Sequence, residues 1–273
     1  MAMVSNRRFC LRGKNVIVTG ASGGLGSALA RRLIVYYGCR VLGVARRQTA
    51  LDALTDELGE AFRGVAADVS RREDWEALAA FAEEQDFDAD VLINNAGVLP
   101  RFAAFGAYSS EEIRSAMRVN AASVLYGTET FLPRFLAKEG TAIVNIASAD
   151  ALCPLAGTSV YSAGKAGVMA FSEVLREEYC GRVYIPAVCP GFIRTGIMRH
   201  QTRTVSPLVE RFSLSPESAA KRLLRRVNAG RSRIVIGIDA HLMSGSYRVA
   251  PVLAPRLFRR VLKATGLEMF ADI

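Results

Sequence analysis

Tyr161 and Lys165 stand four residues apart, and Ser148 precedes the tyrosine at the end of an apolar run, Ala142–Ala147. If residues 161–178 are helical, the four-residue spacing puts phenol and ammonium on one helix face. A free tyrosine has a pKa of about 10 and is a poor acid or base at neutral pH. A cation beside it favours the phenolate, and a shift of about three units corresponds to roughly 4 kcal/mol of differential stabilisation. A serine hydroxyl at a strand end could then share a substrate oxygen with that phenol. The chemistry such a trio supports is proton transfer to or from a carbonyl or alcohol oxygen. Tyr-x-x-x-Lys is also common on ordinary helix surfaces, so its surroundings decide.

Those surroundings read as alternating strands and helices. Asn15–Thr19 is a buried strand that runs into Gly20-Ala-Ser-Gly-Gly-Leu-Gly26 and a helical pattern over Ser27–Tyr37. Strand, glycine turn and helix form the context of a phosphate-binding loop, because bare backbone and a helix N-terminus together suit a pyrophosphate. The bland reading is a glycine-rich turn. Arg40–Ala45 is a second strand, followed by Arg46-Arg47. An NAD site usually has an acidic residue about 20 positions past the glycines. Here Ala45 stands there with two guanidinium groups behind it, which suits a 2′-phosphate; the alternative is two solvated arginines.

Leu51–Leu58 reads as a helix, and the strand Phe62–Ala67 ends at Asp68-Val69. Asp68 either accepts from an adenine amino group or caps the helix expected over Glu73–Glu84. Val91–Ile93 is a strand ending in Asn94-Asn-Ala-Gly97. Residues 111–136 read as one long helix with Asn120 inside it, a mildly unfavourable placement that asks for a reason. Strands follow at Arg182–Val188, before Cys189-Pro-Gly191, and at Arg233–Ile238, with a helix over Pro216–Ala229 between them. Residues 192–214, rich in Thr, Ser and Arg, read as a mobile loop. The fold class expected is α/β, a single doubly wound parallel sheet of the Rossmann type. In such sheets ligands bind beyond the carboxyl ends of strands, where every motif above falls.

Composition agrees. The 273 residues are 51% hydrophobic, enough for one large core. The absence of an apolar leader or an 18-residue apolar run points to a cytoplasmic protein. Five scattered cysteines and two histidines give little to build a metal site from, and none is expected. Residues 1–198 hold 21 Lys/Arg and 21 Asp/Glu, whereas 199–273 hold 14 and 5, so the whole net charge of +9 lies in the last quarter. No nucleic-acid module accompanies it; an anionic cofactor, acidic carrier or membrane surface fits better.

Taken in order, Thr19-Gly-x-x-x-Gly24-x-Gly26, Asp68-Val69, Asn94-Asn-Ala-Gly97, Asn120, Ser148, Tyr161-x-x-x-Lys165 and Pro190-Gly-x-x-x-Thr195 resemble the short-chain dehydrogenase/reductase family over roughly residues 12–198. The resemblance implies a catalytic tetrad of Asn120, Ser148, Tyr161 and Lys165. Tyr161 would exchange the proton, Ser148 would hold the reacting oxygen, Lys165 would bind the nicotinamide ribose, and Asn120 would support a proton-relaying water. It also implies cofactor contacts at Gly20, Ser22, Gly24, Leu25, Gly26, Arg46, Arg47, Asp68, Val69, Asn95, Ala96, Gly97, Pro190, Gly191, Ile193 and Thr195, with Asn95 toward the adenosine and Thr195 at the carboxamide. Ala45 with Arg46 looks like the NADP-preferring variant, although the second basic residue many such members carry in the glycine loop is replaced by Ser22-Gly23. The expected reaction is NADP(H)-dependent interconversion of a carbonyl and an alcohol, with 3-oxoacyl reduction as an alternative. An idle NADP-binding sensor or scaffold and an isomerase or dehydratase are the other classes. Family members commonly form homodimers or homotetramers, here expected through the helices at 111–136 and 161–178.

Phe192, Leu152, Leu155 and Phe102 are the expected apolar lining of a lipophilic substrate pocket. Residues 1–240 form the expected catalytic domain, and 241–273 a basic, amphipathic extension. Within 249–263, Leu253, Leu257, Phe258, Val261 and Leu262 fall on one side of a helix that could begin at Pro255, flanked by Arg256, Arg259, Arg260 and Lys263. It would serve as a membrane-surface helix or pocket lid, or dock on the core or a second subunit.

Overall fold

The computed structural model describes residues 9–195 and 213–264. The expected loop at 192–214 therefore lies mostly outside the described residues. Strands β1 (Asn15–Thr19), β2 (Arg40–Ala45), β3 (Phe62–Ala66), β4 (Val91–Asn94), β5 (Thr141–Ile146), β6 (Val183–Tyr184), β7 (Ala187–Pro190) and β8 (Arg233–Ile236) form one sheet. Its order is β3-β2-β1-β4-β5-β7-β8, with β6 on β5, and every pairing is parallel.

The two-residue alternation of each strand sends side chains into two helical layers. Val16 and Val18 of β1 pack with α1 (Gly24–Tyr37), α2 (Gln48–Leu58) and α7 (Pro216–Asn228). Ile17 faces the opposite layer, where Trp75 of α3 (Arg72–Glu84), Phe131 and Phe135 of α5 (Ser123–Leu136), and Leu175 of α6 (Ser159–Glu178) meet. The chain leaves β1 toward β2 and β3 and returns on the other side at β4. A crevice consequently opens between the carboxyl ends of β1 and β4.

Three elements differ from expectation. The long helix is two: α4 (Ser110–Met117), started by a Ser109/Glu112 capping box, and α5, joined by a π-type turn at Arg118–Ala122. Asn120 sits in that turn, fully buried. Its Nδ2 donates to the Val98 carbonyl (2.7 Å) and its Oδ1 accepts from the Val98 N–H (3.0 Å). Those bonds are the reason for an asparagine inside a helix: it stitches the helix to the loop after β4. The strand expected over 182–188 divides into β6 and β7 around Pro186, which has no N–H to give a ladder. The last strand ends at Ile236, and Gly237 (φ 108°) turns the chain into α8 (Ile238–Val249), so the C-terminal helices begin before residue 240.

Helix α9 (Leu253–Ala264) starts two residues before Pro255, which occupies the first turn where no N–H partner is needed. Ala254 and Leu262 are buried with Ala240, Met243 and Leu155, while Leu253, Leu257 and Val261 are exposed. Among the described residues no helix is long and apolar enough to cross a membrane.

Candidate active site

A cleft of about 810 Å³ runs along the carboxyl ends of the strands. At its floor, Thr19 closes β1: its Oγ1 accepts from the N–H groups of Asn95 (2.9 Å) and Ala96 (3.0 Å). The Asn95 amide returns a bond to the Thr19 carbonyl (2.8 Å). The asparagine expected on the adenosine side thus spends its Nδ2 locking β1 to β4, although it also lines the cleft.

The glycine loop leaves this floor. Gly20 and Gly24 have φ of 67° and 53°, which other residues rarely adopt. A Cβ on Gly26 would lie 2.0 Å from the Gly20 carbonyl oxygen, so only glycine lets α1 start this close to β1. Gly26 itself lies behind the loop, whereas Gly20, Ser22, Gly24 and Leu25 line the cleft above the N-terminus of α1. That cradle, with its helix dipole, fits a pyrophosphate.

Beyond the loop, Arg46, Arg47, Asp68 and Val69 line one end of the cleft, both arginines exposed. Burial raises the Asp68 carboxyl, but hydrogen bonds from Ser70 and the charges of Arg46 and Arg71 outweigh it and hold the group below its ordinary range. Asp68 does not cap α3, whose N-cap is Arg71; its Oδ1 accepts from the Ser70 N–H at 3.0 Å.

At the opposite end stand Ser148, Tyr161 and Lys165. Ser148 follows β5 and caps the short turn Ala149–Ala151, its Oγ accepting from the Asp150 N–H at 3.2 Å. Tyr161 and Lys165 lie in the first two turns of α6. Lys165 is buried, and its Nζ donates to the Ile146 carbonyl at 2.9 Å. Burial lowers its pKa to about 8. A Cβ on Gly97 would lie 3.2 Å from Asn120 Oδ1 and 3.3 Å from Lys165 Nζ. These two groups converge beside Gly97, although Asn120 itself does not line the cleft.

The expected lowering of the tyrosine pKa by Lys165 is not found in the chain alone. Burial dominates and raises the phenol; the bond with Ser148 opposes this, and the charge of Asp150 adds to it. The ammonium is aimed at the Ile146 carbonyl.

Pro190, Gly191, Ile193 and Thr195 complete the wall. Thr195 lies against the glycine loop, with its Cβ and Cγ2 3.0 Å from where a Gly24 Cβ would stand. Ala96, Gly97, Phe102, Leu155 and Phe192 also line the cleft, but Leu152 does not: it packs in the core with Val124, Ala147 and Val168.

Sequence reading missed Asp150, Asp239 and Met243, all on the cleft wall. Asp239 Oδ2 accepts from the Phe192 N–H and so ties the loop after β7 to α8. Its signal was slight, a carboxylate two residues past Gly237. No cluster of His, Cys, Asp or Glu among the described residues could hold a metal ion.

A family model for short chain dehydrogenases matches residues 14–206. The chain belongs to the short-chain dehydrogenase/reductase family. It is an oxidoreductase of that family, with the Rossmann-type fold the sheet order displays. Among curated relatives, the ketoacyl reductase HetN of Nostoc sp. is 32% identical over 260 residues, covering 91% of this chain and 89% of its own. A short-chain dehydrogenase from Burkholderia cenocepacia J2315 in complex with NADP superposes with a TM-score of 0.78 at 26% identity, covering 90% of this chain and 98% of that one. The 3-ketoacyl-(acyl-carrier-protein) reductase of Brucella melitensis complexed with NADH gives a TM-score of 0.77 at 25% identity, covering 86% and 99%.

Proposed function

We propose that this protein is an NADP(H)-dependent reductase or dehydrogenase that interconverts an apolar ketone or aldehyde with its alcohol. The observation that carries the reading is the placement of Ser148, Tyr161 and Lys165 on the wall of the same cleft as the glycine loop. The nicotinamide, when bound, supplies or takes up the hydride. Tyr161 gives its proton to the carbonyl oxygen in reduction and accepts it in oxidation. Ser148 Oγ donates to that same oxygen and fixes its distance from the phenol. Lys165 spends one of its three N–H donors on Ile146 and offers the others to the ribose. Asn120 holds the loop after β4 beside the ammonium and supports the water through which protons pass to Lys165. Lys165, with the positive charge that an oxidised nicotinamide would add, would oppose the burial that raises the phenol in the chain alone.

Arg46 and Arg47, with Ala45 where an acid would favour NAD, support the 2′-phosphate. Similar structures hold NADP in one case and NADH in another, so the choice rests on these arginines. Phe102, Leu155, Phe192 and Met243 support an apolar substrate. The kinship to a ketoacyl reductase favours a 3-oxoacyl compound as one such substrate. The exposed Leu253, Leu257 and Val261, with exposed Arg256, Arg259, Arg260 and Lys263, support contact between α9 and an anionic membrane surface. Exposed Leu125 on α5 and Val174 on α6 support self-association through those helices.

Screening ketones and aldehydes by loss of NADPH absorbance tests the reading. Tyr161→Phe is expected to lower kcat by about 10²–10⁴-fold while cofactor affinity is retained. Full activity in that variant refutes the mechanism, and a protein that binds NADPH but turns over no carbonyl or alcohol supports the idle sensor instead.

A further inference from the structure

Asp150 is a buried carboxyl on the cleft wall, two residues after Ser148, with no part in the chemistry described above. Its backbone N–H donates to Ser148 Oγ (3.2 Å) and its side-chain Oδ2 accepts from Ser162 Oγ (3.3 Å). Ser162 is the residue after Tyr161. Its hydroxyl is 2.9 Å from that of Thr158, the N-cap of α6, and Thr158 is bonded in turn to the Leu155 carbonyl (2.9 Å). One residue therefore touches both supports of the reacting oxygen: the turn that presents Ser148 and the first turn of the helix that presents Tyr161.

We propose that Asp150 is a positioning residue for the Ser148–Tyr161 pair, tying the serine turn to the tyrosine helix while its negative charge opposes ionisation of the phenol. The inference rests on Tyr161 being the proton-transfer group. Among the described residues, few titratable groups face this corner. Asp150 and Cys153 come from the turn after β5, Tyr161 and Lys165 from α6, Cys189 from β7 and Asp239 from α8. Lys165 is the one cation among these, and it is bonded to the Ile146 carbonyl. That bond leaves the ammonium charge in place; the Asp150 carboxylate acts against it and, with burial, raises the phenol. Burial raises the carboxyl to about 6, against the donors Thr158 and Ser162. Below that pH the group is neutral and the phenol is relieved; above it the charge is present and holds the proton on Tyr161. A protonated tyrosine is the form that reduction consumes, so the charge favours reduction at neutral pH.

The test separates charge from tether. Asp150→Asn keeps an acceptor for Ser162 and removes the charge. Alcohol oxidation, which needs the phenolate, is expected to reach its rising limb at lower pH than in the wild type, by about one unit or more, because a like charge beside the phenol is removed. Asp150→Leu removes the tether as well, and kcat is expected to fall about ten-fold or more at every pH. Asp150→Ser, uncharged and smaller, is expected to repeat the shift and replaces the amide variant should that one not fold. Ring-¹³C-tyrosine NMR of the NADP⁺ complex, assigned with Tyr161→Phe, follows the same phenol without turnover. A lower midpoint in the uncharged variants supports the inference, and identical midpoints overturn it. Retained activity in Tyr161→Phe would instead overturn the reading on which it rests.

Discussion

Replacing Gly26 with alanine offers a sharp test of how the cofactor cradle is built. The new Cβ would stand 2.0 Å from the Gly20 carbonyl oxygen, 2.7 Å from its carbon and 2.9 Å from Asn95 Nδ2. Ordinary contact begins near 3.4 Å, so α1 would have to retreat by about 1.4 Å, the difference of those two distances. It has no room to do so, because Leu25, Ala28, Leu29 and Leu33 are buried against β1 and α7. Overpacking of this kind costs about 1–3 kcal/mol, or roughly 2–10 °C of Tm for a chain of this size. Gly23 is the control: its φ of 176° is open to any residue and a Cβ there meets nothing within 4 Å. Melting curves with and without NADPH read both effects. In the wild type, NADPH at about 100 times its Kd should add about 2.7 kcal/mol. Gly26→Ala should melt lower and lose that increment, because the loop from Gly20 is displaced with the helix. Gly23→Ala should keep the wild-type Tm without ligand. A Gly26→Ala protein with wild-type Tm and affinity, or a Gly23→Ala protein as damaged as it, refutes the reasoning.

Two further outcomes are expected. Arg46→Ala should lower kcat/KM for NADPH by about 10–100-fold, the worth of one charge-assisted phosphate contact, and leave NADH nearly untouched; equal losses with both cofactors count against a 2′-phosphate site. Leu257→Asp with Val261→Asp should reduce co-sedimentation with vesicles containing phosphatidylserine, and raised salt should do the same to the wild type, since each basic residue near such a surface contributes about 1 kcal/mol. Equal recovery of wild type and variant excludes α9 as the contact.

Much of this was legible in the chain because the relevant signals are local. Asn15–Thr19, Arg40–Ala45 and the glycine turn declare themselves by β-branched runs and by residues that few other backbones need. Their strand ends then bring Gly20, Arg46, Asp68, Asn95, Ser148 and Pro190 to one cleft by topology alone. What was not legible depends on contacts between distant segments. Asn120 looked like a flaw in one long helix because its partner, the Val98 backbone, lies 22 residues away. Leu152 looked like pocket lining because hydrophobicity does not say which way a turn faces. Asp150 carried no signal because its meaning comes from burial beside Ser162 and Ser148. The Tyr161–Lys165 spacing gave a shared helix face but not the direction of the ammonium, which a carbonyl on β5 decides.

The central claim is that Tyr161 completes a hydride transfer between a nicotinamide and a carbonyl in this cleft. The most direct measurement is single-turnover reduction of a ketone found in the substrate screen, using NADPH deuterated at C4 on the transferred face, with wild type and Tyr161→Phe at equal cofactor saturation. The account predicts deuterium on the carbinol carbon in the wild type and at least a hundred-fold slower appearance in the variant. Deuterium delivered at the same rate by both proteins would contradict it.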